Sequence, residues 1–432
     1  MDCFRQKTVG QKGIRMQLKT ILNRVYKHQC FVYSEVNLTE VENKLICNVT
    51  IHPRRNSRPI CSVCKKPRPG YDTLPARRFE FIPFWGILVY FIYAMRRVNC
   101  PDCGVKVESV PWAEGKRTVT IAYSWFLSRW AKRLSWAQVA DAFRTTWYTV
   151  YCSVEQAVRW GRANQDLDGI TAIGIDEFCW GRWHRYVTVV YQINKDAVRL
   201  LWVGEHRKAK TLLRFFRWFG KARTQKLKHV CSDMWKPYLK VIAKKATNAI
   251  NILDRFHIMM HFNKAIDKVR AAEVRELEAN GYVPILKKSR WLFLKRPENL
   301  TEKQDISLAR LVQYNLKTVR SYLLKEDFQF FWGYRSAYWA GRFLDRWCTR
   351  AMRSRIEPIK KVAKMIRSHR ELILNWFRAK KAFSSGIVEG LNAKAKLATK
   401  RAYGFKTFQT LELALYHNLG VLPEPEIAHR FF

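Results

Sequence analysis

Between residues 169 and 257 the chain switches repeatedly between two hydrophobic periods, and that order limits the folds open to it. "AIGIDEF" (172–178) reads as a strand that stops on two acids, Asp176 and Glu177. "RYVTVVYQIN" (185–194) and "AVRLLWVGEH" (197–206) read as two more strands, joined at "NKD" by a hairpin-like turn. "AKTLLRFFRWFG" (209–220) is apolar at helical spacing and ends on Gly220, a residue suited to a helix C-terminus. "LKHVCSD" (227–233) is then a short strand ending in Asp233. "PYLKVIAKKA" (237–246) is a helix with Pro237 near its start, and "NAINILDRFH" (248–257) is a further strand, ending in Asp254.

Three strands, a helix, a strand, a helix and a strand are the order of an RNase H-like core. In that order the first and fourth strands lie side by side, so Asp176 and Asp233 are expected to meet at one edge of the sheet. Two unpaired carboxylates held close repel each other unless a cation sits between them. Carboxylate oxygens are the ligands that Mg²⁺ (or Mn²⁺) takes. A pair of such ions activates a water or hydroxyl and stabilises the leaving oxygen of a phosphodiester. Spacing alone leaves open that each acid is a solvated strand end. Alternation places Ile173, Ile175 and Glu177 on one face and Gly174 and Asp176 on the other, without saying which face carries the site. Glu177 is read as a neighbour that supports the site or pairs with Arg182.

A third acid is expected from a helix packed on the same edge. The candidate is "SSGIVEGLNAKAKLATKRAYGF" (384–405), with Ser384 or Ser385 as the cap and Glu389 near the start. Lys394, Lys396, Lys400 and Arg401 follow on it as cations for a DNA backbone. A generic basic amphipathic helix is the plainer alternative.

Charge points to the partner. Lys and Arg number 79 against 35 acids, a net +44, whereas solubility asks for a magnitude of only about 2–8 in a small domain. The excess calls for a polyanion, and nucleic acid is the expected one; ribosomal or membrane-surface binding is the alternative. The 17 Trp and 25 Phe residues argue for folded cores rather than a basic tail. The odd cysteine count, 11, and an N-terminus without an apolar run point to a reducing cytoplasm. "FIPFWGILVYFIYAM" (81–95) is uncharged, but it is shorter than the about 20 residues of a membrane helix and contains Pro83 and Gly86. It reads as buried strands, so no membrane partner is expected.

Two Cys-x-x-Cys pairs, "CSVC" (Cys61, Cys64) and "CPDC" (Cys100, Cys103), offer the four thiolates of a structural Zn²⁺ site. The spacer, 65–99, is longer than the common about 15–20 residues. It is strand-like, which fits a ribbon with long β-arms; for either pair alone a redox pair is the rival. "LSWAQVADAFRTTWYTVYCSVEQAVRW" (134–160) reads as a helix capped by Ser135, a turn at "RTT", and a second helix capped by Thr146. A second helix so placed can enter a major groove, with Arg144, Thr146 and Tyr148 as candidate DNA contacts. Most such pairs are ordinary helical hairpins.

Taken together, the motifs carry a family likeness over nearly the whole chain. It resembles the bacterial insertion-sequence transposases of the ISL-three family, which are DDE enzymes. The likeness rests on the cysteine pairs, the helix-turn-helix, "IGIDEFCWGR", "VCSDMWKPY", "ILDRFHIMMHFNKA" and "GIVEGLNAKAKLATKRAYGF". The resemblance implies Asp176, Asp233 and Glu389 as the catalytic, metal-binding triad. "DRFH" is similar to a D-x-x-H signature and makes His257 a candidate for positioning DNA or a scissile phosphate; a core or capping histidine is the alternative. Asp254 is the runner-up for a metal ligand.

Residues 263–380, between the second and third acids, read as an all-helical insertion. Trp332, Trp339 and Trp347 in it could stack on a flipped base, but their helical spacing favours core packing. The expected architecture is multidomain α/β: an N-terminal region with the zinc ribbon (1–115), a helix-turn-helix domain (116–168), an RNase H-like mixed-sheet core (169–262 and 381–432) and the insertion that interrupts it. The resemblance implies a protein that binds terminal inverted repeats in double-stranded DNA and then cuts and transfers DNA strands. Synapsis of two ends implies at least a homodimer, in the bacterial cytoplasm with the nucleoid. An RNase H-like nuclease that never joins strands is the first alternative. A catalytically inactive DNA-binding regulator is the second, and the presence of all three acids argues against it.

Overall fold

The computed structural model describes residues 17–42, 44–181, 185–283, 285–381, 386–402 and 404–426. The chain divides into two compact units, Met1–Gln165 with Leu422–Phe432, and Asp166–Val421.

In the first unit α1 (Leu18–Val25) precedes two antiparallel strand pairs, β1 (Phe31–Val41) with β2 (Lys44–Pro53) and β3 (Gly70–Phe84) with β4 (Ile87–Cys100). Strands β2 and β4 run parallel and join the pairs into one mixed sheet, in the order β1-β2-β4-β3, with β5 (Gly104–Val107) on β4. The uncharged run at 81–95 is thus the end of one strand and most of the next, turned at Trp85 and Gly86, both of positive φ. Among the described residues no helix is long and apolar enough to cross a membrane. Alternate β4 side chains (Val89, Phe91, Tyr93, Met95) meet Phe31, Tyr33, Phe79, Phe81 and Trp112 in an aromatic core. Each large apolar side chain so buried contributes about 1.5–3 kcal/mol. The segment between the cysteine pairs is therefore part of a five-stranded sheet, to which β1 and β2 add an edge that the cysteine spacing did not foretell.

Three helices follow, α2 (Ile121–Trp130), α3 (Trp136–Ala142) and α4 (Trp147–Asn164). Ser135 caps α3 in a capping box with Gln138, and Thr146 caps α4 by accepting from the Thr149 N–H at 3.1 Å. Helix α2, which packs on α4, had not been singled out from the sequence.

The second unit is built on β6 (Ala172–Gly181), β7 (Arg185–Ile193), β8 (Val198–Glu205), β9 (His229–Ser232) and β10 (Ile250–Leu253), in the order β10-β9-β6-β7-β8. The first three form an antiparallel meander, while β6–β9 and β9–β10 are parallel. Helices α5 (Ala209–Phe219), α6 (Lys221–Gln225) and α7 (Lys236–Lys245) connect the strands. Ile173, Ile175 and Val230 of the sheet pack on Leu212, Phe215, Phe219 and Tyr238. Gly220, at φ +88°, breaks α5 from α6.

Helix α8 (Arg255–Ala279) starts directly after β10 and leads into α9 (Arg290–Leu294), α10 (Glu302–Val312), α11 (Lys317–Gln329), α12 (Ala337–Arg353), α13 (Glu357–Ser368) and α14 (Arg370–Arg378). Phe262, Phe328, Phe331, Leu344 and Ile366 belong to a core shared by α8 and α11–α14, while Phe293 of α9 and Leu308 and Leu311 of α10 pack on Ile266, Val319 and Tyr322 in a second one. Core packing accounts for Trp332 and for Trp347, whose Nε1 donates to the Leu324 carbonyl at 2.9 Å. Trp339 stands half-exposed. Helices α15 (Gly386–Arg401) and α16 (Phe408–Leu419) return to the sheet, α15 against β6 and β7 and α16 against β8. With helices on both faces, β7 is buried almost throughout.

Candidate active site and zinc centre

The strand does not stop on the two acids as expected: Asp176 and Glu177 lie in the middle of β6, which runs on to Gly181 because β7 stays paired with it, and they point to opposite faces of the sheet. Gly174 and Asp176 face α15. A Cβ at Gly174 would stand 2.6 Å from Val388 Cγ2, so the glycine is what lets α15 approach this closely. One turn beyond Val388, Asn392 donates its Nδ2–H to Asp176 Oδ2, and its Oδ1 accepts from the Tyr191 hydroxyl at 2.7 Å. The Glu177 N–H donates to Asp176 Oδ1 at 2.7 Å. Gly174→Ala is therefore expected to push α15 off the strand, destabilising the unit by about 1–3 kcal/mol and slowing DNA cleavage. Adding Val388→Ala should recover part of both losses. Wild-type thermal stability and cleavage in Gly174→Ala would rule this packing out.

Glu177 faces the α5–α7 side. Arg182, its expected partner, lies outside the described residues; the partner found is Arg207, 2.6 Å from Glu177 Oε1. Arg207 also reaches Asp233 Oδ2 at 3.1 Å and lies over the Trp235 ring at 4.6 Å. Asp233, buried just past β9, takes the Trp235 N–H on its other oxygen at 3.0 Å.

Burial pushes the Glu177 carboxyl up to about 8; the charge of Asp233 adds to this and Arg207 opposes it. Burial also pushes Asp176 up to about 6, opposed by the Glu177 N–H and His257, with Asp254 and Asp233 adding. Both values lie above those of unfolded carboxylates, about 4, so the folded state holds more protons across the interval. The contribution of these acids to stability is present below about pH 4 and is lost as pH rises toward 8. The metal-free chain should therefore melt lower at about pH 8 than at about pH 5, and Mg²⁺ should raise the transition more at the higher pH. In Glu177→Gln the pH dependence should shrink; an unchanged slope would discard Glu177 as its source.

Asp176, Asp233, Asp254 and His257 line one cavity of about 70 Å³. Asp254 caps α8 by accepting from the Phe256 N–H at 2.7 Å, and His257 Nε2 lies 3.6 Å from its other oxygen. Glu389 is not in that lining. It borders an adjoining cavity with Arg255 and Arg296; burial raises its carboxyl above the usual value, the charge of Asp254 adds to this, and His257 and Arg296 oppose it. The structure thus brings Asp176, Asp233, Asp254 and His257 together and sets Glu389 beside them. Among the described residues, the four cysteines form a metal-sized cluster with all ligand atoms within 4.8 Å, and the three acids do not form one.

The acidic residues nonetheless fit a hard divalent ion. Their donors are all carboxylate oxygens, and Glu389 Oε1 and Glu177 Oε2 are buried without a hydrogen-bond partner. Lys394, Lys396 and Lys400 stand exposed along α15. Ser384, Ser385 and the Arg401 side chain lie outside the described residues. Sequence reasoning missed Asn392, Tyr191 and Arg207. Asn392 sits three positions after Glu389 on the same helix, and Arg207 just past the end of a strand, as Asp233 does. Nothing in the sequence marked Tyr191.

In the first unit Cys61, Cys64, Cys100 and Cys103 cluster, with Cys64 Sγ 3.7 Å from Cys100 Sγ. The knuckles are closed by Lys65 N–H to the Cys61 carbonyl at 3.0 Å and Cys103 N–H to the Cys100 carbonyl at 3.3 Å. Four thiols on two tight turns fit a structural Zn²⁺. Between α3 and α4, Arg144 takes a left-handed φ of +51°. Trp147 and Tyr148, at the start of α4, are exposed, and both stack against Tyr151.

The model of a protein family described as transposase matches residues 173–415, more than half of the chain. The chain belongs to that family, the ISL-three transposases of the DDE type, a class that uses divalent metal. It is 29% identical to the transposase for insertion sequence element IS1557 of Mycobacterium tuberculosis over 387 residues, 84% of this chain and 86% of that protein. To the transposase for insertion sequence element IS1001 of Bordetella parapertussis it is 28% identical over 351 residues, 80% of this chain and 85% of that one.

Proposed function

We propose that the chain binds the terminal inverted repeats of an insertion sequence and catalyses metal-dependent cleavage and transfer of its DNA strands. The observation that carries this reading is the set of carboxylates around one cavity, Asp176 within β6 and Asp233 and Asp254 just past the ends of the adjacent parallel strands β9 and β10, with Glu389 on the helix packed beside them. The names of its relatives, transposases for insertion sequence elements, support it. The second unit is then an RNase H-like core interrupted by a helical insertion.

Asp176, Asp233 and Glu389 would hold Mg²⁺ or Mn²⁺, with Asp254 as a further oxygen donor. The bound metal supplies an activated water or hydroxyl and stabilises the leaving oxygen of a phosphodiester. Asn392, held by Tyr191, fixes the rotamer of Asp176. Arg207 keeps Asp233 and Glu177 from repelling each other apart. His257 stands at the cavity wall, in reach of a scissile phosphate. Lys394, Lys396, Lys400 and Arg401 offer cations to the DNA backbone along α15. In the first unit, Arg144, Thr146 and Tyr148 would meet a major groove, on a scaffold held by zinc at the four cysteines. The working form is at least a dimer, because two element ends must be brought together, in the cytoplasm with the nucleoid.

The test is strand joining. DNA carrying an element end already cut to a 3′-OH is incubated with the chain, Mg²⁺ and a target plasmid. Joined product supports a transposase; cutting without joining under the same conditions would leave a nuclease instead.

A further inference from the structure

The cavity beside Glu389 measures about 450 Å³ and lies among α8, α9, α11 and α15. Ligand pockets span about 300–1,000 Å³, so this one admits a nucleotide. Its neighbour, about 70 Å³, has room for little more than an ion and a water or two, since a water takes about 30 Å³. Arg255 belongs to both linings.

Arg255 and Arg296 border the larger cavity, and among the described residues neither forms an ion pair or a hydrogen bond with a carboxylate. Glu389 borders the same cavity and its charge acts on Arg296, and Arg255 lies 5.0 Å from the centre of the Trp332 ring; two guanidinium groups against one carboxylate still leave the cavity an excess of positive charge, and phosphate suits their fork geometry. The opposite requirement, a surface for a base, is met by Phe256, half-exposed, with Met259 and Met260. The wall is braced from behind. Lys325, 3% exposed, donates to the Phe293 carbonyl at 3.0 Å and pairs with Glu326 at 3.0 Å. That contact ties α11 to α9, whose end leads into Arg296.

We propose that this cavity seats one nucleotide of a DNA strand next to the acids, its phosphate between Arg255 and Arg296 and its base against Phe256. The helical region is then part of the substrate channel, and Arg255 hands the strand from the larger cavity to the acidic one. This inference rests on the transposase reading and deepens it.

The test uses the full chain without divalent metal, so that nothing is cut, and a short single-stranded oligonucleotide containing 2-aminopurine. Arg296→Gln and Arg255→Gln should each weaken binding about tenfold and flatten its salt dependence by about 0.7 in log–log slope. Arg296→Lys, which keeps the charge, should keep the slope. Phe256→Ala should keep the slope too but lessen the quenching of 2-aminopurine. Thymidine monophosphate should compete only weakly, because it lacks the rest of the strand. Wild-type affinity and slope in both glutamine variants would overturn the proposal, and so would complete displacement by the mononucleotide at equal concentration. Failure here leaves the catalytic reading standing if Asp233→Asn still abolishes cleavage; that reading falls only if Asp233→Asn cuts normally.

Discussion

Asp233→Asn is expected to bind DNA ends as the wild type does, and to cut and join them at least about a hundredfold more slowly. The bound comes from metal sites in general, where loss of a supporting partner alone costs about 10–100-fold; a direct ligand should cost more. Asparagine keeps the shape and can still take the Trp235 N–H, so the fold has no reason to fail. What it removes is one negative charge from a crowded set. Without metal the variant should therefore melt no lower than wild type at about pH 8, because Glu177 and Asp176 lose a repelling neighbour. Activity and stability are expected to move independently, which separates a catalytic acid from a structural one. Cleavage at the wild-type rate would remove Asp233 from the site.

Cys100→Ser should abolish zinc binding and with it the binding of DNA ends. Structural zinc contributes about 10–16 kcal/mol in zinc-finger peptides, comparable to the whole stability of a typical domain, about 5–15 kcal/mol. Here the sheet has an aromatic core of its own, so the loss should be local. Cys100 ends β4, and β5 pairs with β4. The expected result is a chain without zinc whose second unit still shows its Mg²⁺-dependent melting shift while DNA-end affinity falls more than about tenfold. Metal analysis, thermal melting and a binding titration on one preparation check all three. Normal end binding without zinc would strip the cysteine site of its role.

Several of these expectations could be written from the sequence because the governing signals are local. The apolar runs of β6 and β7 and the turn at 194–196 each lie within a few residues, and each became a strand or turn, although β6 runs five residues past Asp176 instead of stopping on the acids. The caps at Ser135 and Thr146 were legible for the same reason. The cysteine pairs were legible as knuckles, and the structure closes the four into one cluster. By contrast, α2 was overlooked because it is buried over most of its surface and shows little amphipathic contrast. The β1–β2 edge of the first sheet was overlooked because pairing between β2 and β4 leaves no trace in either strand alone.

By itself, then, the sequence determined the order of elements, the acids Asp233 and Asp254 just past the ends of strands, and the two cysteine knuckles. All of these follow from hydrophobic period and backbone chemistry over short spans. Only the tertiary structure decided which groups face one another. Parallel pairing of β6 with β9 brings Asp176, midway along β6, level with Asp233 just past the end of β9. The missing side chain at Gly174 admits α15, and Asn392 then reaches Asp176 from 216 positions away. Arg207, rather than a neighbour in sequence, becomes the partner of Glu177 and Asp233. Such contacts depend on packing between distant segments, where burial and charge are settled jointly, and no local period carries them.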